Sequence, residues 1–382
     1  MAVEPSSNTN ASKPGSGLPM AGIRVLSLAE QYPGPYATML LADLGADVIL
    51  VERPDGGDPS RRFPGLFASF NRNKRSVTLD LKSEQGRADF LTLVDTADAV
   101  VEGFRPGVMA RLKLDAETLR ARKPSLIFTS ISSFGQTGPG VGVAGHDLSI
   151  QAAAGMIDVP YGQEAGLSLP VLPLADIASA MFAAFGIVTA LFARSKSGDG
   201  STIDVSMLDS LVSWMTPFLM PPMNDLPIRR LPPGEPGYGL FATADEGMQI
   251  TLSIAGEDHM WKALCSMLAL EQYADLNEDQ RVERCAEIDP HLRKAIAAWP
   301  CQKLVERLEA ERIAFGPVRR QPDVLADSQL AARGMSSTLA SGTGPRRFVR
   351  QPLIMDGAGG AITRGVPGLG EHNEELLGRR KG

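Results

Sequence analysis

Cysteine is scarce: the 382 residues hold three, Cys265, Cys285 and Cys301. An odd count without metal-ligand spacing argues against a disulfide framework and a zinc site, and a reducing, cytoplasmic setting is the expectation. Histidine is scarce too, with His146, His259, His291 and His372 only and no H-x-x-x-H pair, so no metal chemistry is expected. Serine-hydrolase chemistry lacks its G-x-S-x-G elbow. A nicotinamide or flavin site lacks the G-x-G-x-x-G fingerprint between the first predicted strand and its helix. Positive charge is not in excess: a net charge of -6 and a pI near 5.4 exclude a general nucleic-acid or anionic-membrane binder, which needs a basic face. The opening MAVEPSSNTNASKPGSG has no apolar core of a signal peptide, and residues 1–18 are expected to form a flexible tail. The apolar run 177–193 falls just short of a membrane span and contains Ser179, Gly186 and Thr189, so it is expected to be a core helix.

What is present is an ordinary globular composition, 43% hydrophobic and 21% charged, on a chain long enough for two cores. Residues 23–29 (IRVLSLA) read as a strand broken by Gly34 and Pro35; 36–44 show helical spacing, and 47–52 (DVILVE) return to strand. The rhythm repeats with strand 76–81, helix 83–97, strand 98–102, short helices over 108–122 and strand 125–130. Such alternation implies a parallel sheet covered by helices. A Gly-rich loop, 132–145 (SSFGQTGPGVGVAG), leads into a helix near His146; strand 201–206 and helix 207–215 follow. Proline density over 217–236 marks a linker. Beyond it, 238–244 and 248–254 read as paired strands, followed by helices over 257–268, 279–288, 291–297 and 301–312. No internal repeat is visible.

Residues 169–194 (LPVLPLADIASAMFAAFGIVTALFAR) place one carboxylate, Asp176, ahead of a long helix that is apolar on every face and is therefore expected to be buried. The bland reading makes Asp176 a helix cap. The sharper one makes it a nucleophile or base whose water access is controlled by packing. Between residues 53 and 84 cations outnumber acids: Arg53, Arg61, Arg62, Arg72, Lys74, Arg75 and Lys82 against Asp55, Asp58, Asp80 and Glu84. A solvated face is one reading and a phosphate pocket at the strand ends is the other.

These residues resemble a family, the class III CoA-transferases, which also contain the α-methylacyl-CoA racemases. The resemblance is carried by PGPYATMLLADLGADVILVERP, NRNKRSVTLDLK, DAVVEGFRPGVMARL and FGQTGPGVGVAGHD, with the Asp176 stretch and 198–208, and it covers nearly the whole chain after about Leu18. It implies a large Rossmann-like domain (19–216), a linker (217–236), a smaller α/β domain (237–330), a C-terminal segment (331–382) returning to the large domain, and an interlocked homodimer. It implies acyl-CoA as substrate and a carboxylate small molecule as partner, with no metal, nicotinamide or flavin, and neither nucleic acid nor membrane. By position, Arg53, Leu79, Gly103, Phe104, Arg105 and Arg111 match the CoA-binding set, and Asp176 the catalytic aspartate. In the transferases that aspartate carries a covalent acyl and then a CoA thioester. In the racemases it is an acid/base opposite a histidine, matched by His146, with a carboxylate matched by Glu257. The text around these residues reads more like the transferases. A glutamine that some transferases use near the first strand is displaced, with Tyr32 at its place and Gln31 before it. A CoA-binding protein without turnover is the remaining alternative.

Overall fold

The computed structural model describes residues 17–158, 171–226, 234–340, 345–356 and 358–378. Most of the expected N-terminal tail and part of the proline-rich stretch lie outside the described residues. The chain divides into two compact units. One takes the described residues up to 157, those between 171 and 217, and those from 328 onward; the other takes Asp158 and those between 218 and 327.

The first unit is built as alternating strands and helices: β1 (Arg24–Ser27), α1 (Pro33–Asp43), β2 (Asp47–Glu52), α2 (Pro64–Phe70), β3 (Lys74–Thr78), α3 (Glu84–Thr96), β4 (Ala99–Glu102), α4 (Val108–Leu112), α5 (Ala116–Arg122), β5 (Ile127–Ser132), α6 (Asp147–Ala153), α7 (Leu174–Ser197), β6 (Thr202–Ser206) and α8 (Met207–Trp214). The six strands form one sheet in the order β3-β2-β1-β4-β5-β6, and every neighbouring pair is parallel. This is the doubly wound order, whose direction reverses between β1 and β4, and ligands of such sheets sit outside the strand C-termini at that reversal. Val25, Val48, Ala99, Val101 and Ile127 face one layer with Ala37, Leu41 and Ile187. Leu26, Ile49, Val77, Val100 and Phe128 face the other with Phe90, Leu93 and Leu119. Burial on both faces explains why the strands read as continuous apolar runs rather than alternating ones.

Two expectations are corrected here. Helix α1 starts at Pro33 rather than at Tyr36, so Gly34 and Pro35, expected to lie between strand and helix, sit in its first turn, where a missing proline N–H costs no intrahelical bond. The long helix α7 is not buried on every face. Ala175, Ala178, Ala180, Ala183, Ile187 and Ala190 are in the core, whereas Met181, Phe185, Val188 and Phe192 are 41–68% exposed within the described chain. Spacings of four, three and four place those four on one stripe of the helix. The helix has the length and apolarity of a membrane span, with part of its surface packed inside the unit.

The proline-rich stretch is in part helical: α9 (Thr216–Met223) contains Pro221 and Pro222. In the second unit, β7 (Tyr238–Ala242) and β8 (Gln249–Ser253) form an antiparallel hairpin joined by β9 (Phe315–Pro317). Helices α10 (Asp258–Met267), α11 (Glu278–Glu283), α12 (Cys285–Ala297) and α13 (Cys301–Ala310) pack Trp261, Leu264, Ile288, Leu292, Ile296 and Leu304 against Phe241, Ile250 and Leu252. Short helices α14 (Gln321–Val324) and α15 (Ser328–Ala332) lead to the hairpins β10 (Ser336–Leu339) with β11 (Arg346–Val349) and β12 (Ile354–Met355) with β13 (Ala358–Gly359). The last element, α16 (Asn373–Leu377), lies against β3 of the first unit, to which it belongs.

Candidate active site

A cavity of about 400 Å³ opens at the reversal point of the sheet. Its walls are residues 29–34 after β1, 103–106 after β4, 131–135 at the end of β5, part of the Gly-rich loop through His146 and Asp147, and Asp176 and Met207. The site needs helix α1 to start close behind β1. Gly34 permits this, since a Cβ there would lie 2.0 Å from that of Ala29. The Gly-rich loop has a packing cause as well: a Cβ on Gly140 would lie 2.8 Å from that of Phe134. Its run GVGVAG has the spacing of a dinucleotide fingerprint, but it stands well after β5 rather than in a tight strand-to-helix turn, so the fingerprint's geometry is missing.

Asp176 lies in the first turn of α7, three residues after the N-cap position held by Pro173. Its carboxylate is not the cap. That work falls to Asp147, whose Oδ1 accepts the backbone N–H groups of Ala175 at 2.8 Å and Asp176 at 3.3 Å. Oδ2 of Asp147 accepts from Gln151 Nε2 at 2.6 Å, and the same amide donates to Leu172 O at 3.1 Å. The two helix starts are thereby stitched together. Among the described residues no hydrogen bond to the Asp176 carboxylate is present to favour its charge. Burial, and then the Asp147 charge, push its pKa from 3.8 up to about 7. A carboxyl poised near neutrality in a cavity is the usual signature of a reacting group.

His146 occupies the N-cap position of α6. Its N–H donates to Ser149 Oγ at 2.9 Å, and that hydroxyl returns a bond to His146 O at 2.7 Å. Its exposed ring lines the same cavity as Asp176. Tyr32 also lines the cavity. Its ring is fixed by Phe70 at 4.5 Å and Tyr36 at 6.3 Å between centroids. Burial first, and then the Asp176 charge, raise its phenol pKa. Glu30, which the sequence reading did not single out, is a third carboxyl of the wall; burial and the Asp58 charge raise its pKa.

Gly103, Phe104 and Arg105 line the cavity, with Phe104 N–H donating to Glu102 Oε2 at 2.8 Å. Arg53 and Arg111 do not line it. Arg53 is exposed after β2, its Nε donating to Gly57 O at 2.9 Å, and Arg111 is exposed on α4. Leu79 is 5% exposed in the core and offers little surface to a ligand. Glu257 lies in the second unit, at the N-cap position of α10, where its Oε2 accepts from Ala255 N at 2.9 Å.

Most of the cations between residues 53 and 84 prove to be internal. Arg61 pairs with Glu52 at 2.7 Å and Arg72 with Asp43 at 2.6 Å, and Arg75 pairs with Asp47 and with Glu375. Lys74 is fully buried, donating to Pro35 O, Thr38 Oγ1 and Asn71 Oδ1 at 2.8–2.9 Å, and burial holds its pKa well below the usual lysine range. They tie β2, β3 and α1 together behind the cavity.

Fold and cavity define an α/β enzyme that places a near-neutral carboxyl at the reversal of a doubly wound sheet. The model of CoA-transferase family III matches residues 20–373, and this chain belongs to that family. It is 33% identical to a succinate–glutarate CoA-transferase of Agrobacterium fabrum, over 94% of this chain and 95% of that one. It is 34% identical to a succinyl-CoA:mesaconate CoA-transferase of Haloarcula hispanica, over 93% and 94%. Among solved structures, a CAIB/BAIF family protein from Brucella suis superposes with a TM-score of 0.83 at 29% identity, covering 94% of this chain and 98% of that one. The protein is an enzyme of the CoA-transferase class, acting on acyl-CoA and carboxylate substrates.

Proposed function

We propose that this enzyme moves CoA from an acyl-CoA donor to a free carboxylate through covalent intermediates on Asp176. The observation that carries the reading is the Asp176 carboxyl itself. It is half-buried, has no hydrogen bond among the described residues, and is held near neutrality in the cavity that the CoA-matching residues 103–105 also line. The Asp176 oxygen attacks the thioester carbonyl and expels CoA thiolate, leaving a mixed anhydride. The thiolate attacks the aspartyl carbonyl, releasing the donor as its carboxylate and leaving an aspartyl-CoA thioester. The acceptor carboxylate attacks that thioester, and the expelled thiolate takes the new acyl group and frees Asp176. Each exchange is an acyl transfer between activated carboxyls, so the difficult direct swap becomes a series of easier ones. The names of the relatives, with succinate, glutarate and mesaconate among their substrates, support a small dicarboxylic acid on one side of the exchange.

One observation favours a second reading. His146 lines the same cavity as Asp176, and two groups on opposite faces of an α-carbon can racemise it. The two readings separate in deuterated water. Transfer requires a carboxylate acceptor and leaves the α-carbon undeuterated, whereas racemisation deuterates it without any acceptor. In the same assay His146→Ala should lower transfer by less than about tenfold, below the roughly 10²–10⁴-fold that a lost general acid or base costs. Loss of all α-exchange together with unchanged transfer would assign both activities.

The exposed stripe Met181, Phe185, Val188 and Phe192 supports a homodimer, with a second copy covering the apolar face of α7. Light scattering on the wild type and on Phe185→Glu tests this: a dimer that dissociates in the variant supports it, and a monomeric wild type removes it.

A further inference from the structure

The last described stretch of the chain lies as a strap along β3, the edge strand of the parallel sheet. Ser76, in the middle of β3, is gripped on both backbone groups. Its carbonyl accepts the N–H of His372 at 2.9 Å, and its own N–H donates to His372 Nδ1 at 3.2 Å. Thr78 N–H donates to Asn373 Oδ1 at 2.9 Å, and Arg75 pairs with Glu375 at 2.6 Å. An edge strand carries unpaired backbone groups; here the His372 backbone N–H and ring and the Asn373 side chain fill them.

From Ser76 a continuous chain of hydrogen bonds runs to the cavity. The Ser76 hydroxyl accepts from Gly370 N at 3.0 Å and donates to Glu52 Oε2 at 2.6 Å. Glu52, 6% exposed, also accepts from Arg61 and, at 3.0 Å, from Asp58 N. The Asp58 carboxylate takes the backbone N–H of Gln31 at 3.1 and 3.2 Å. Gln31 lines the cavity with a left-handed φ of 67°, a conformation that a non-glycine residue keeps only where its surroundings hold it. Arg61 closes the circuit by donating to Pro367 O at 3.2 Å.

We propose that His372 is a positioning residue: docked on Ser76 as the neutral imidazole, it holds the strap on β3 and, through Glu52, Asp58 and Gln31, sets one wall of the acyl-CoA cavity, which its protonation loosens. The proposal rests on the reading of the cavity as an acyl-CoA site. Nδ1 accepts a backbone N–H, so a proton there removes the bond and sets two donors face to face. Nε2 faces Arg364 Nη1 at 3.5 Å, so an imidazolium would meet a guanidinium. Of the charged groups around the ring, Glu371 and Glu375 favour the cation and Arg364 and Arg75 oppose it. Burial outweighs them and keeps the His372 pKa below the usual histidine value. A base whose pKa falls on docking docks fully at neutral pH, and docking weakens as the pH drops below about 6.5.

The test measures KM for an acyl-CoA and kcat with the full chain between pH 5.5 and 8, together with hydrogen exchange at the Ser76 and Thr78 amides. In the wild type KM should rise about fivefold between pH 7.5 and 5.5, the worth of one hydrogen bond, with faster exchange at Ser76. His372→Asn offers an amide oxygen to the Ser76 N–H and does not titrate, so its KM should stay flat. His372→Ala should show the raised KM and fast Ser76 exchange at every pH. A His372→Ala variant with wild-type KM and exchange at pH 7.5 overturns the proposal, as does a His372→Asn variant with the wild-type pH dependence. If His372→Ala does not fold, His372→Asn decides alone. Exchange is read without substrate, so a failed acyl-CoA assignment is distinguished from a failed latch.

Discussion

Asp147 holds Asp176 from behind: its Oδ1 accepts the Asp176 backbone N–H at 3.3 Å and that of Ala175 at 2.8 Å. Carboxylates at a helix start normally gain from its free N–H groups, but Asp147 has taken them and adds a like charge. Asp147→Asn keeps an acceptor for both N–H groups and removes that charge. The acid limb of kcat/KM, which reports the free enzyme, should therefore stand near pH 7 in the wild type and move down by about one unit in the variant. The measurement is the pH profile of kcat/KM at fixed ionic strength.

The same electrostatics predict a stability effect. A carboxyl raised from 3.8 to about 7 on folding contributes its full stability below its unfolded value and loses it as the pH rises through 7. Asp176→Asn removes the cost of ionising the buried group. The variant should be about 4 kcal/mol more stable than wild type at pH 8.5, the worth of a shift from 3.8 to about 7, and nearly equal to it at pH 4. Urea unfolding at the two pH values checks this, and it also tells an inactive folded variant from an unfolded one.

Behind the cavity, Arg72 and Asp43 are 3% and 1% exposed and joined at 2.6 Å, with Asn73 Nδ2 also donating to Asp43 at 2.8 Å. Asp43→Ala strands a guanidinium in the interior and should cost about 3–5 kcal/mol. The same substitution together with Arg72→Met should recover part of the loss. Denaturant midpoints of the two variants decide it.

The parallel sheet was legible because its strands are apolar on both faces and are separated by helical spacing: DVILVE and the run 99–102 can belong to little else. The reacting carboxylate was legible only as a position ahead of an apolar helix. Its environment was not, because the bond from Asp147 to Asp176 spans 29 residues and leaves no local pattern. The exposed stripe of α7 was hidden for a related reason, since Phe185 and Phe192 read alike whether a core or another surface covers them. The cations of residues 53–84 looked like one group, yet Arg61, Arg72 and Arg75 find partners on β2 and α1 that only the sheet brings near. Pro221 and Pro222 suggested a linker, although a helix as short as α9 has few internal bonds for a proline to break.

The covalent role of Asp176 is tested most directly by mass spectrometry of the enzyme incubated with an acyl-CoA and no acceptor, then quenched with acid or with hydroxylamine. The expected result is a CoA adduct on the peptide containing Asp176, its conversion to a hydroxamate at that residue, and its discharge when a carboxylate acceptor is added. Undiminished CoA transfer by Asp176→Ala, or steady turnover with no adduct on that peptide, would contradict it.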